Sequence, residues 1–151
     1  MGPEHRPRSA RFTGGLVTLQ LNHISFFTAD VAATHRFWSE LLGLPVAFAV
    51  ELGGGGLHWA YALGEGQLIV FETGTPGRLA GHLGLVVPAA EDRERWRNRL
   101  RQAGVHVRIE DPGPEERLYF EDPNGVTLEI EIRWDPPAQP DALQVVSRQI
   151  G

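Results

Sequence analysis

The sequence predicts an α+β chain made of two similar halves, each a strand, a helix and three further strands. Three observations predict it. First, LNHISFFTAD lies over AGHLGLVVPA at an offset of 59 residues, so that His23 meets His82. Second, HWAYALGEGQLIVFE (His58 to Glu72) lies over RLYFEDPNGVTLEIE (Arg117 to Glu131) at that same offset without a gap. Third, apolar spacing switches between a helical period and strict alternation at matching places in the two halves.

Each element has its own local reason. The first strand alternates around His23, Ser25 and Phe27. Asp30 then caps a helix whose inward positions Val31, Thr34, Trp38, Leu41 and Leu42 keep helical spacing until Gly43 stops it. The glycines Gly53 to Gly56 mark the first hairpin loop of that half. The second half repeats the strand at His82. Its helix includes RERWRNRLR (Arg93 to Arg101), in which Trp96 and Leu100 form the apolar stripe and the arginines are expected on the solvated side. SELLGLPV recurs, after a shift of two, as RLRQAGVHV, in which Val105, His106 and Val107 read as a strand. Asp-Pro-Asn-Gly at 122–125 is a turn between the last two strands. Residues 1–18 read as an N-terminal arm, 19–134 as one domain with modules about 20–73 and 80–134, and 135–151 as a Pro-rich tail with a short helix near Asp141 to Gln149.

Composition excludes several chemistries. There is no cysteine, hence no disulfide framework and no thiolate metal site. All 14 basic residues are arginine, which removes a lysine Schiff base or lysine phosphate clamp. The net charge of −5 argues against a nucleic-acid partner, and no apolar run reaches the ~20 residues a membrane helix needs. MGPEHRPRSARFTGG lacks the apolar core of a secretory signal, so a cytoplasmic protein acting on a small molecule is expected.

Alternation also assigns faces. Ile24 and Phe26, like Leu83 and Leu85, suit the helix side. His23 and Ser25 face the other way, as do Glu129 and Glu131 in the last strand. Trp59, Tyr61, Leu118 and Phe120 fall on the helix side. If the two non-helix faces curve together, they form a cleft holding His23, His82 and Glu129. Two imidazoles and a carboxylate suit Fe²⁺, Mn²⁺, Ni²⁺ or Zn²⁺ and leave coordination positions open, which is a catalytic pattern. His58, opposite Arg117 in the repeat, enters that cleft as an acid–base or hydrogen-bonding group. His35 reads as solvated, and neither it nor His106 is assigned to the site.

LNHISFFTADVAATHRFWSELLGL, GHLGLVV and RLYFEDPNGVTLEIEI resemble the vicinal oxygen chelate superfamily, which includes glyoxalase I, bleomycin-resistance proteins, extradiol dioxygenases and fosfomycin-resistance enzymes. The resemblance implies two βαβββ modules forming a cupped mixed sheet around a metal, with His23, His82 and Glu129 as ligands. It implies a homodimer in which modules pair across chains, and hence a site shared between subunits. Tyr119 matches a tyrosine that touches substrate or oxygen-derived groups in ring-cleaving and fosfomycin enzymes, and Ser25 a hydroxyl residue near substrate. The fourth ligand of glyoxalase I has no counterpart: Val70 stands there, with Glu72 two residues further along the same face. A metal-dependent dioxygenase, or a lyase or isomerase, is the implied activity. The alternative is a metal-free drug-binding protein of the bleomycin-resistance type, with Trp59, Tyr61 and Trp134 as stacking surfaces.

Overall fold

A computed structural model describes residues 21–110, 116–132 and 147–148. The predicted arm at 1–18, the tail with its helix near Asp141 to Gln149, and Trp134 lie outside the described residues, apart from 147–148, which are helical.

The first half runs β1 (His23–Thr28), α1 (Val31–His35) with a π-helical continuation (Arg36–Leu41), β2 (Val46–Glu51), β3 (Leu57–Leu63) and β4 (Gln67–Thr73). The second runs β5 (Leu83–Val87), α2 (Ala90–Gln102), β6 (Arg108–Glu110), β7 (Arg117–Glu121) and β8 (Thr127–Ile132). Each half forms one four-stranded sheet, ordered β1-β4-β3-β2 and β5-β8-β7-β6, parallel at the first pair and antiparallel elsewhere. The repeat extends to register. Ser25, Val70 and Ala60 are aligned across β1, β4 and β3, and their counterparts Gly84, Glu129 and Tyr119 across β5, β8 and β7. No helix among the described residues is long and apolar enough to cross a membrane.

Local signals account for the elements. Asp30 Oδ1 accepts from Ala33 N at 2.8 Å at the start of α1. At the other end Gly43 takes φ +77°, which lets Leu44 N reach Trp38 O at 3.1 Å and ends the helix. The second-half turn is built by Asp122, whose Oδ1 accepts from Asn124 N and Val126 N, each at 2.8 Å.

Three local expectations are corrected. His106 lies ahead of β6, which begins only at Arg108. His35 is half-buried, its Nδ1 3.2 Å from the Tyr61 hydroxyl, because the completely buried Tyr61 needs a partner for its oxygen. In α2 the arginines divide: Arg93 is buried and donates to Glu116 O at 2.7 Å, and Arg97 pairs with the Glu116 carboxylate. Long aliphatic stems let these two cross apolar surface and still find oxygen partners, which helical periodicity does not reveal.

The helix of the first half touches both sheets: Trp38 packs on Phe71 (centroids 5.5 Å apart) and Phe37 on Phe120 (6.2 Å). Trp59, Tyr61, Ile69, Leu118, Leu128 and Ile130 join them in one core drawn from both halves. A buried polar clasp crosses the same junction. Trp38 Nε1 donates to Asp122 Oδ2 at 3.0 Å, the Thr28 hydroxyl donates to Asn124 Oδ1 at 2.6 Å, and Asn124 Nδ2 donates to Thr34 Oγ1 at 3.0 Å. Each such bond contributes about 1 kcal/mol net, and losing one partner costs more because the other stays buried. Both sheets turn their apolar faces to this shared core, so their remaining faces point away from it.

Candidate metal and ligand site

On the second sheet, the face away from the core carries a tight ionic group. His82 immediately precedes β5, Glu129 sits mid-way along β8, and Tyr119 lies opposite Glu129 on β7. His82 Nε2 is 2.6 Å from Glu129 Oε2, and the His82 ring meets Tyr119 edge-on with centroids 5.6 Å apart. Glu129 is only 6% exposed, so its charge needs the partners that surround it. Arg117 supplies one, with Nε 3.5 Å from Glu129 Oε1 and 3.8 Å from Glu131. The Arg108 guanidinium lies 4.5 Å from the Tyr119 ring centre and pairs with Glu110. Burial raises the Tyr119 pKa above its ordinary 10.0. A hydrogen bond to Glu129 and that residue's charge add to the effect, against a lowering by Arg117 and Arg108. The phenol is therefore protonated at neutral pH and donates to the carboxylate.

The corresponding face of the first sheet is arranged in rows. His23, Leu68 and Ala62 form the first; Ser25, Val70, Ala60 and Phe48 the second; Phe27, Glu72, His58 and Val50 the third. His23 is exposed, its Nδ1 2.8 Å from Asn22 Oδ1. His58 Nδ1 is 3.1 Å from Glu72 Oε2. Glu72 thus has a histidine partner within its own sheet, and Val70 occupies the place of Glu129.

Within one chain, the structure brings together His82, Glu129 and Tyr119, and separately His58 with Glu72. It does not bring His23 to His82 and Glu129: among the described residues no three His, Asp or Glu side chains are close enough to hold one ion. The expected convergence of the two faces fails inside the chain because α1 and its continuation occupy the space between the sheets. His82 and Glu129 fit a divalent cation as donors, being a neutral-capable imidazole and a buried carboxylate already in contact. Sequence reasoning missed the placement of Arg117 beside Glu129 and the His58–Glu72 pair. Both are readable from hairpin register once the turns at 64–66 and 122–125 are set.

A profile of the Glyoxalase/Bleomycin resistance protein/Dioxygenase superfamily matches residues 20–130. The chain belongs to this superfamily. A comparison with curated protein sequences finds no significant match. Among solved structures, superfamily members share the fold. A mutant of the genomically encoded fosfomycin resistance protein FosX from Listeria monocytogenes, complexed with Mn(II) and 1S,2S-dihydroxypropylphosphonic acid, is 18% identical. It covers 76% of this chain and 93% of its own, with a TM-score of 0.66. A glyoxylase/bleomycin resistance protein/dioxygenase domain from Frankia sp. EAN1pec is 22% identical, covering 78% of this chain and 100% of its own, with a TM-score of 0.64. A glyoxalase family protein from Enterococcus faecalis is also 22% identical, covering 74% and 96%, with a TM-score of 0.59.

Proposed function

We propose that the chain is a divalent-metal-dependent enzyme acting on a small substrate that presents oxygens to the ion, as a dioxygenase or as a lyase or isomerase. The observation that carries this reading is the buried Glu129 carboxylate in contact with His82 Nε2, on the face that in the first half bears the repeat-related His23. The ligands are His23, His82 and Glu129, with His23 supplied by the partner subunit of a homodimer, since one chain leaves it apart from the other two. The FosX structure with Mn(II) and a dihydroxypropylphosphonic acid supports an ion of this kind.

A bound Fe²⁺, Mn²⁺, Ni²⁺ or Zn²⁺ supplies Lewis acidity and, for iron, dioxygen chemistry. The chain's own residues do the rest. Arg117 lies against both Glu129 and Glu131 and offsets part of their charge, which helps to hold the carboxylate at the site in orientation. Tyr119, held protonated, turns its one O–H from Glu129 to a substrate oxygen when the carboxylate takes an ion, with Arg108 over its ring keeping it in place. Ser25, exposed on the first sheet two residues from His23, offers a hydroxyl on the facing wall. The drug-binding alternative loses two of its three stacking candidates, because Trp59 and Tyr61 are core residues at 3% and 0% exposure, while Trp134 lies outside the described residues.

Elemental analysis of protein purified without a metal-affinity step tests the reading. A stoichiometric content of Mn, Fe, Ni or Zn is expected, lost in His23→Ala, His82→Ala and Glu129→Ala. Failure of the parent protein to bind any of these ions, even on reconstitution, rules the metalloenzyme out. Oxygen uptake then separates a dioxygenase from a lyase or isomerase.

A further inference from the structure

The two halves differ at one sheet edge. In the first, Ala62 N donates to Pro45 O at 2.9 Å, so the outer side of β3 is paired as far as Ala62. The counterpart of Ala62 in the repeat is Glu121, and β6 stops short of it: Arg108 stands opposite Tyr119, and His106 makes no backbone bond to Glu121. Asp122 N donates inward to Val126 O at 3.0 Å. Backbone directions alternate along a strand, so Glu121 turns both its N–H and its C=O the other way, toward the edge that β6 leaves uncovered. Among the described residues no backbone group meets either of them.

A cavity of about 610 Å³ occupies this place, within the span of about 300 to 1,000 Å³ usual for small-molecule sites. Val105 and Pro123 give it apolar walls, the exposed His106 and Arg108 form its rim, and Glu121 lines it. Tyr119 lines it as well, so the cavity borders the Tyr119–Glu129 rung. The notch is one rung deep. Outward backbone groups recur at every second residue, about 6.8 Å along the strand, and the next such position is Pro123, which has no N–H.

We propose that this notch binds one extended amino-acid residue flanked by an amide on each side, as in an N-acylated amino-acid amide. The ligand's C=O accepts from Glu121 N–H and its own N–H donates to Glu121 C=O, the exchange that two facing antiparallel residues make. Its side chain packs between Val105 and Pro123, which favours an apolar residue. The pairing needs no metal, so the site stands apart from the one proposed above.

The test is an NMR titration of ¹⁵N-labelled full-length protein with N-acetyl-leucine N-methylamide. The Glu121 amide signal should shift saturably and its hydrogen exchange should slow, while the Ala62 amide, already bonded, stays unmoved. A probe with an ester oxygen in place of the leucine N–H should bind about fivefold to tenfold more weakly, as loss of one hydrogen bond predicts. Glu121→Pro removes the donor from the notch and none from the ladder to β8, so the variant should fold and bind the probe about tenfold more weakly. Glu121→Ala keeps the backbone donor and should bind within about twofold of the parent. If Glu121→Pro does not fold, the ester comparison and the Glu121 signal decide alone. A trileucine probe with the same caps should gain no more than about twofold, since only one rung is open; a gain above about tenfold means a longer peptide strand and overturns the single-residue ligand. No saturable shift at Glu121, equal binding of the amide and ester probes, or undiminished binding to a folded Glu121→Pro overturns the site.

Discussion

Asp122 holds the junction between the halves with one side chain. Its two oxygens accept from Trp38 Nε1, Asn124 N, Asn124 Nδ2 and Val126 N. Asp122→Ala therefore strands several buried donors, and urea denaturation should show a loss of about 3 kcal/mol, larger than for Asp122→Asn. At the same scale, Tyr61 is completely buried and its pKa is raised above 10.0 by desolvation, against a small lowering through Trp59. A raised folded-state value means that the neutral phenol's contribution is fully present below pH 10 and is lost as the pH rises past it. In a Tyr119→Phe variant, which leaves Tyr61 as the sole tyrosine, tyrosinate absorbance should appear only well above pH 10, together with unfolding. Ionisation near 10 in the folded protein would contradict this burial.

Helix and turn ends were legible because their signals are local. Asp30, Gly43 and the Asp-Pro-Asn-Gly turn each act within a few residues, and all three sit where the spacing of apolar residues puts them. Gly43 at φ +77° tolerates no side chain without strain, whereas Gly53 has an ordinary backbone and open space around its missing Cβ. Gly43→Ala should cost about 1 kcal/mol in thermal or urea unfolding and Gly53→Ala almost nothing. The π-helical continuation of α1 was not legible, since a five-residue and a four-residue hydrogen-bond step share nearly one apolar pattern. The buried guanidinium of Arg93 was not legible either. Its partner is a backbone carbonyl 23 residues away, and charge patterning alone puts every arginine in water.

At the scale of the molecule, parity along the strands put Trp59, Tyr61, Leu118 and Phe120 in the core and left His23 exposed, yet Ala60, Val70 and Glu129, of the opposite parity, are buried as well. What parity leaves open is the direction in which each exposed face points. That is decided by contacts such as Thr28 to Asn124 and Thr34 to Asn124, whose members lie some ninety residues apart and carry no periodic signal. The clasp and the shared core keep His23 apart from His82 and Glu129 within one chain, so the ligand set we propose needs a second chain to complete it. In a closed two-fold dimer, two such sites form, each taking His23 from one subunit and His82 with Glu129 from the other.

Mixing variants tests this most directly. His23→Ala and Glu129→Ala homodimers should each lack metal, because every site in them misses one ligand. After the two are unfolded together and refolded, each heterodimer regains one site with all three ligands, and metal content should recover to roughly one ion per heterodimer. A mixture as metal-free as its parents would contradict a site shared between subunits.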